Sequence, residues 1–164
     1  MRPAPSKLAD VKYEKTHELI ARGVIRQNGA ILVNHGCNAK TGERYYALPG
    51  GHIDAGEDAR TAVVRECEEE LQIQVTAGNL VFVSESIYPG RHEDDDKRHE
   101  IVLYFEADMV SQPHVQDGAI VSPESDKEFR WLPLADVAEA NIRPASFKDW
   151  LLGAPARYGF RDDT

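Results

Sequence analysis

Three glutamates, Glu66, Glu69 and Glu70, stand three and four residues apart in the stretch Arg65-Glu66-Cys67-Glu68-Glu69-Glu70. At about 100° per residue they share one face of a helix. Carboxylates so spaced repel by roughly a few tenths of a kcal/mol per pair when exposed. The cost rises when they are enclosed, unless a cation neutralises them. Such a cluster suits a hard, oxygen-seeking ion, Mg²⁺ or Mn²⁺. Ala59 and Ala62 lie earlier on the same face and predict that it is unobstructed. Val63, Cys67 and Leu71 form a separate apolar stripe for the core. Glu68 points away from the other three. Alone, an acidic helix face is most often solvated surface.

The residues upstream change that balance. Leu48-Pro49-Gly50-Gly51-His52-Ile53-Asp54-Ala55-Gly56-Glu57 reads as a strand end, a tight glycine turn and a second turn entering the helix. Glycine permits backbone angles closed to other residues and close approach to a ligand. A carbonyl near Gly50 is therefore expected to face the same cation as the glutamates. The helix is predicted over Asp58 to Leu71, with Asp54, Glu57 and Asp58 near its positive end.

The stretch Gly51 to Ile73 resembles the Nudix box, G-x5-E-x7-R-E-U-x-E-E-x-G-U with U apolar. Gly51 matches the first glycine, Glu57 the isolated glutamate, Arg65-Glu66 and Glu69-Glu70 the two charged pairs, and Ile73 the last apolar position. Two positions depart from the motif. Cys67 stands for an aliphatic residue, a mild change because a buried thiol behaves as a small hydrophobe. Gln72 replaces the second glycine, where a left-handed cap on a non-glycine costs about 1 kcal/mol.

The resemblance implies a Nudix-type α/β/α sandwich around a mixed β-sheet, and metal-dependent hydrolysis of a nucleoside diphosphate linked to another moiety. On that reading Glu66, Glu69, Glu70 and Gly50 hold Mg²⁺ or Mn²⁺, and the ions bind phosphate oxygens and activate a water. Glu69 and Arg65 are the candidate catalytic residues, with Arg65 orienting Glu69 through a charge-assisted hydrogen bond. Gly51 and Glu57 support the site. Relatives often recruit a further acid from a distant loop, and Glu100, Asp108, Glu124 and Glu128 are all candidates. Arg22 and Arg44, on strands flanking the expected cleft, are candidates for phosphate. Pro89, sixteen residues after Ile73, is similar to a mark of ADP-ribose and nucleotide-sugar hydrolases, although Tyr-Pro-Gly is also a common loop device. His35 and His52 read as incidental polar residues.

Around the box, strands are expected at Leu19 to Ile25, Ala30 to Val33, Arg44 to Leu48, Leu80 to Val83, Ile101 to Phe105 and Glu128 to Leu132, with Phe129 and Trp131 as strand packing. Gln27-Asn28-Gly29 signals a hairpin. His35 to Gly42 reads as a loop. Short helices are expected near Leu134 to Ala140 and Phe147 to Leu152. The loop from Tyr88 to His99, with the acidic run Glu93-Asp94-Asp95-Asp96, is the expected determinant of specificity and disfavours extra phosphates nearby.

With 164 residues, 41% hydrophobic and 29% charged, the chain fits one domain over 15–164, preceded by an N-terminal arm at 1–14. A net charge of −9 argues against a nucleic-acid polymer as partner. It also means that a phosphorylated small molecule must be met by local arginines or bound cations. Two cysteines, no apolar leader and no run long enough for a bilayer point to a cytoplasmic protein without a membrane partner. Many relatives form homodimers; composition does not decide that here. The competing substrate is a nucleoside triphosphate, as in a pool-sanitising enzyme. The competing class is a non-catalytic binding module, which would normally show lost glutamates.

Overall fold

Strand β1 (His17–Val24) alternates its apolar residues: Ile20 and Val24 are buried on one side, Ala21 and the following Ile25 on the other. A strand buried on both faces belongs inside a layered domain. In the computed structural model, which describes residues 17–38, 40–89, 97–124 and 127–163, β1 lies within a five-stranded sheet. Its order is β11 (Tyr158–Asp162), β6 (Val75–Tyr88), β7 (Arg98–Met109), β1 and β5 (Gly50–His52). The sheet is mixed. β1 runs parallel to β7 and β11 to β6, while β6 with β7 and β1 with β5 are antiparallel.

A second sheet runs β2 (Arg26–Gln27), β3 (Ala30–Cys37), β10 (Phe129–Pro133), β9 (Ala119–Ile120) and β8 (Val115–Gln116), with β4 (Arg44–Ala47) pairing the far end of β3 on the edge away from β10. The β2–β3 turn uses Asn28 and Gly29 at φ 50° and 74°, the left-handed pair a tight hairpin requires. Asp117 and Gly118 repeat the device between β8 and β9, at φ 51° and 82°.

Two α-helices among the described residues complete the layers. On α1 (Ala59–Leu71), Ala62, Val63, Cys67 and Leu71 pack with Ala21, Ile25 and Phe105. Burying side chains such as Val63 and Leu71 contributes roughly 1.5–3 kcal/mol each. On α2 (Ala145–Leu151), Phe147 closes the opposite cluster, stacked 4.3 Å from Tyr104 and edge-on to Phe82 at 5.7 Å. The chain is thus an α/β protein with a mixed sheet between helices.

Several elements differ from expectation. Gly50 to His52 is a short strand on β1 rather than a turn. β3 continues through His35 to Cys37 because β4 pairs with it. Leu134 to Asp136 is a single 3-10 turn, not a longer helix. β6 and β7 extend well beyond their apolar centres, carried by their mutual pairing. The expected arm at 1–14 and the acidic run at 93–96 lie outside the described residues.

The end of α1 shows how the departure at position 72 is accommodated. Gln72 takes the left-handed conformation at φ 53°, ψ 33°, and donates from its N–H to the Glu68 carbonyl at 2.9 Å. Ile73 donates to Cys67 across the cap at 3.4 Å. The glycine's geometry is kept without the glycine. Gln72→Gly should therefore raise stability by about 1 kcal/mol in thermal denaturation; a lowered melting temperature would contradict this account.

Candidate active site

α1 begins at Asp58, whose side chain caps the N–H groups of Arg60 (3.0 Å) and Thr61 (3.1 Å). That start sets the register that places Arg65, Glu66 and Glu70 against β5 and leaves Glu69 beside Arg65. The face is not unobstructed, as Ala59 and Ala62 suggested. Ala62 is core, Glu70 is fully buried, and the Glu66 side chain is 12% exposed, whereas Glu69 is 53% exposed. Glu68 is exposed.

β5 explains the enclosure. A Cβ on Gly51 would overlap the Glu66 carboxylate, 2.5 Å from Cδ and 2.6 Å from Oε2. Only a residue without a side chain leaves Glu66 its place. Gly50 sits at φ 136°, and a Cβ there would strike the Ala21 carbonyl oxygen and lie 2.8 Å from the Arg22 Cα. Its N–H donates to Glu70 Oε2 at 3.0 Å.

Arg65 ties the cluster together. Its Nε and NH2 donate to the two Glu57 oxygens, each at 2.9 Å, and NH2 also reaches the His52 carbonyl at 2.9 Å. NH1 donates to Glu66 Oε1 at 2.9 Å and Glu69 Oε2 at 3.2 Å. One guanidinium therefore spans the loop entering the helix and two carboxylates of the cluster. The bidentate bond holds the Glu57 carboxyl below the usual range, and the same contact raises Arg65 further above its own. Sequence spacing related Arg65 to Glu69; its closer contacts are with Glu57 and Glu66.

Glu70 has different partners. Lys127 Nζ donates to its Oε1 at 2.5 Å and to Glu124 Oε2 at 2.7 Å. Ser122 Oγ donates to the Glu70 carbonyl at 2.6 Å and accepts the Glu124 N–H at 3.1 Å. Burial pushes the Glu70 carboxyl upward, and the bond from Lys127 opposes that rise. Sequence reasoning named Glu124 only as one of four distant acids, and it missed Lys127 and Ser122. No local pattern marks them. Glu100 and Asp108 instead lie along β7, opposite β6 residues Ser86 and Thr76, and Glu128 is exposed beside β10. Burial also pushes the Cys67 thiol up to about 12, which leaves it a packing residue.

The phosphate candidates separate. Arg22 lies opposite Gly50 in the β1–β5 pair, and its NH1 donates to the Leu48 carbonyl, beside the box. Arg44 is exposed on β4 in the other sheet, where its carbonyl accepts from Asn141 Nδ2 at 2.8 Å. Pro89 is exposed just past β6, with β7 and β1 between that strand and β5. His52 faces Glu18 at 3.6 Å, and His35 rests edge-on to Tyr46.

The donors fit a divalent cation in kind, being hard carboxylate and carbonyl oxygens. The glycine-lined space filled by the Glu66 carboxylate and the buried carboxylate of Glu70 are both consistent with that use. Among the described residues, no group of three or more His, Cys, Asp or Glu is already gathered about one cation position. Arg65 and Lys127 now hold these carboxylates. Also among the described residues, no helix is long and apolar enough to cross a membrane.

Residues 17–151 match the NUDIX domain family. The isopentenyl-diphosphate Delta-isomerase of Shigella flexneri serotype 5b is 30% identical over 108 residues, covering 62% of this chain and 53% of that protein. The chain thus spans about half the length of the curated relatives it matches. Among solved structures, the MutT protein of Methanosarcina mazei Go1 superposes with a TM-score of 0.59 at 21% identity, over 85% of this chain and 93% of that one. An ADP-ribose pyrophosphatase from Streptococcus suis 89-1591 gives 0.53 at 18% identity, over 89% and 98%. The match over most of the chain, on a fold shared with Nudix hydrolases, makes this protein a member of the NUDIX domain family.

Proposed function

We propose that the protein is a metal-dependent pyrophosphohydrolase, cleaving a nucleoside diphosphate joined to another moiety, with ADP-ribose or a nucleotide sugar as the leading substrate class. The observation that carries this reading is the Arg65 network, which holds Glu66 and Glu69 side by side under a glycine pair that leaves the Glu66 carboxylate room. Bound Mg²⁺ or Mn²⁺ would supply charge neutralisation at the phosphates and a more acidic water. Glu66, Glu69, Glu70 and the Gly50 carbonyl are the groups to hold it. Arg65 keeps two of these carboxylates in place. Glu69, the most exposed of the three, meets the incoming substrate and can take a proton from water. Arg22, opposite Gly50 on β1, is the side chain we assign to a phosphate oxygen. Such local cations answer the problem that a net charge of −9 sets for an anionic substrate.

The lean toward a diphosphate joined to a sugar rests on Pro89 after β6 and on the acidic run at 93–96, which disfavours additional phosphates. A second reading, isomerisation of an isoprenoid diphosphate, is favoured by the 30% identical relatives. Both readings need a diphosphate grip, but only hydrolysis breaks the phosphoric anhydride.

A substrate panel with Mg²⁺ or Mn²⁺ separates them: ADP-ribose, a UDP-sugar, a nucleoside triphosphate and isopentenyl diphosphate, with products resolved by ion-exchange chromatography and NMR. Nucleoside monophosphate and sugar phosphate are expected from the first two. Pyrophosphate released only from the triphosphate would move the assignment to pool sanitising. An isomerised product without anhydride cleavage would establish the second reading, and an inert panel would remove the enzymatic one.

A further inference from the structure

The proposed site contains a cation of its own. Glu70 is fully buried, and its two oxygens take the Gly50 N–H and the Lys127 ammonium. Lys127 arrives from a chain segment 57 residues away and is itself only partly covered, its side chain 29% exposed. Ser122 is fastened to the end of α1 and holds the Glu124 N–H, and the Lys127 N–H donates to the Glu124 carbonyl at 3.1 Å, so the ammonium has an anchored neighbour at Glu70. Glu124, 37% exposed, holds the same nitrogen from the other side at 2.7 Å.

Two physical facts bear on this arrangement. A buried carboxylate without a counter-charge is costly, and in the metal-free protein the Lys127 ammonium supplies that charge to Glu70. A divalent ion and an ammonium drawn to the same carboxylate repel each other, so each weakens the hold of the other on Glu70. Lysine suits a placeholder. Its charge is a compact point on a flexible stem, free to swing without the directional demands of a guanidinium. Glu124 gives the displaced ammonium somewhere to go.

We propose that Lys127 is a built-in counter-cation that occupies Glu70 in the metal-free protein and is displaced onto Glu124 when a divalent ion binds, so that the Lys127–Glu124 pair sets the metal affinity of the site. This inference rests on the metal-dependent reading above and adds two positioning residues outside the box. It predicts opposite effects from removing its two members. Lys127→Met removes the competitor. Glu124→Gln leaves the ammonium with Glu70 alone.

The test is Mn²⁺ binding to the 164-residue chain without substrate, read by electron paramagnetic resonance or calorimetry, together with thermal unfolding with and without the ion. Lys127→Met should bind Mn²⁺ about tenfold tighter, as expected when a charge-assisted hydrogen bond no longer has to be broken. Its melting temperature should fall without metal and recover with it, so that the ion-induced increment exceeds that of the unaltered protein. Glu124→Gln should bind more weakly. Unchanged or weaker binding by Lys127→Met, while the unaltered protein binds, would overturn the role of Lys127 and leave the metal reading standing. Absence of Mn²⁺ binding in both proteins would remove the two readings together. Should Lys127→Met unfold without metal, Lys127→Gln added to ion-loaded protein preparations gives the same affinity by competition with a chelator, with the same expected direction and the same overturning result.

Discussion

Glu69→Gln should give a folded protein whose kcat/KM is lowered by about 10³-fold, within the usual range for loss of a group that moves or directs a proton in the reaction. The substitution keeps shape and removes charge. Glu69 is 53% exposed and is linked to the rest of the site by one bond of 3.2 Å from Arg65. Little packing depends on it, so the melting temperature should stay close to that of the unaltered protein. Glu70, by contrast, is fully buried between Gly50 and Lys127, so altering it would disturb folding and function at once. Steady-state kinetics on the best substrate of the panel, with a melting curve alongside, checks the expectation. An unaltered rate would defeat the role given to the cluster.

Gly51→Ala is the second large effect, about 10²-fold in turnover, and it arises from geometry with no charge altered. The new methyl group would occupy the volume of the Glu66 carboxylate. Because the overlapped atoms are the far end of a flexible side chain, the backbone need not unfold; the carboxylate is pushed aside instead. A misplacement of about 1 Å in a positioned group can cost on the order of 10²-fold. Stability should also drop, by about 1–3 kcal/mol for an overpacked site. The displaced Glu66 would lose its bond from Arg65 NH1 as well, so Mn²⁺ affinity should weaken in parallel with turnover. Normal kinetics with normal ion affinity would show that the close contact between Gly51 and Glu66 has no functional consequence.

Much of this site is legible along the chain because its parts are local. The spacing of Glu66, Glu69 and Glu70 requires only helical periodicity, and Asp58 starts the helix through its own hydrogen bonds to Arg60 and Thr61. The Asn28-Gly29 turn is equally local, since its backbone angles are set by residue type. Even the substituted cap at Gln72 keeps the geometry expected of the glycine. The Asp117-Gly118 turn belongs to the same class and its signal was present, but the strands it joins have two residues each and carry no periodic pattern. β11 is invisible for another reason. Tyr158 and Phe160 are exposed, so their alternation reports no core, and the strand exists because β6 offers an unpaired edge.

The sequence by itself determined the helix, the order of charged residues along it, the glycines before it and the family to which that pattern belongs. All of these follow from backbone preferences and spacings within a couple of dozen residues. Only the tertiary structure decided which carboxylate is buried and which meets solvent, that Gly51 is needed to leave Glu66 its place, and that Arg65 gathers Glu57 with two of the cluster's acids. It alone brought Ser122, Glu124 and Lys127 to Glu70. The reason is physical. Burial and charge compensation depend on what packs against a face, and here those partners come from β5 and from a segment more than fifty residues away, beyond the reach of any local pattern.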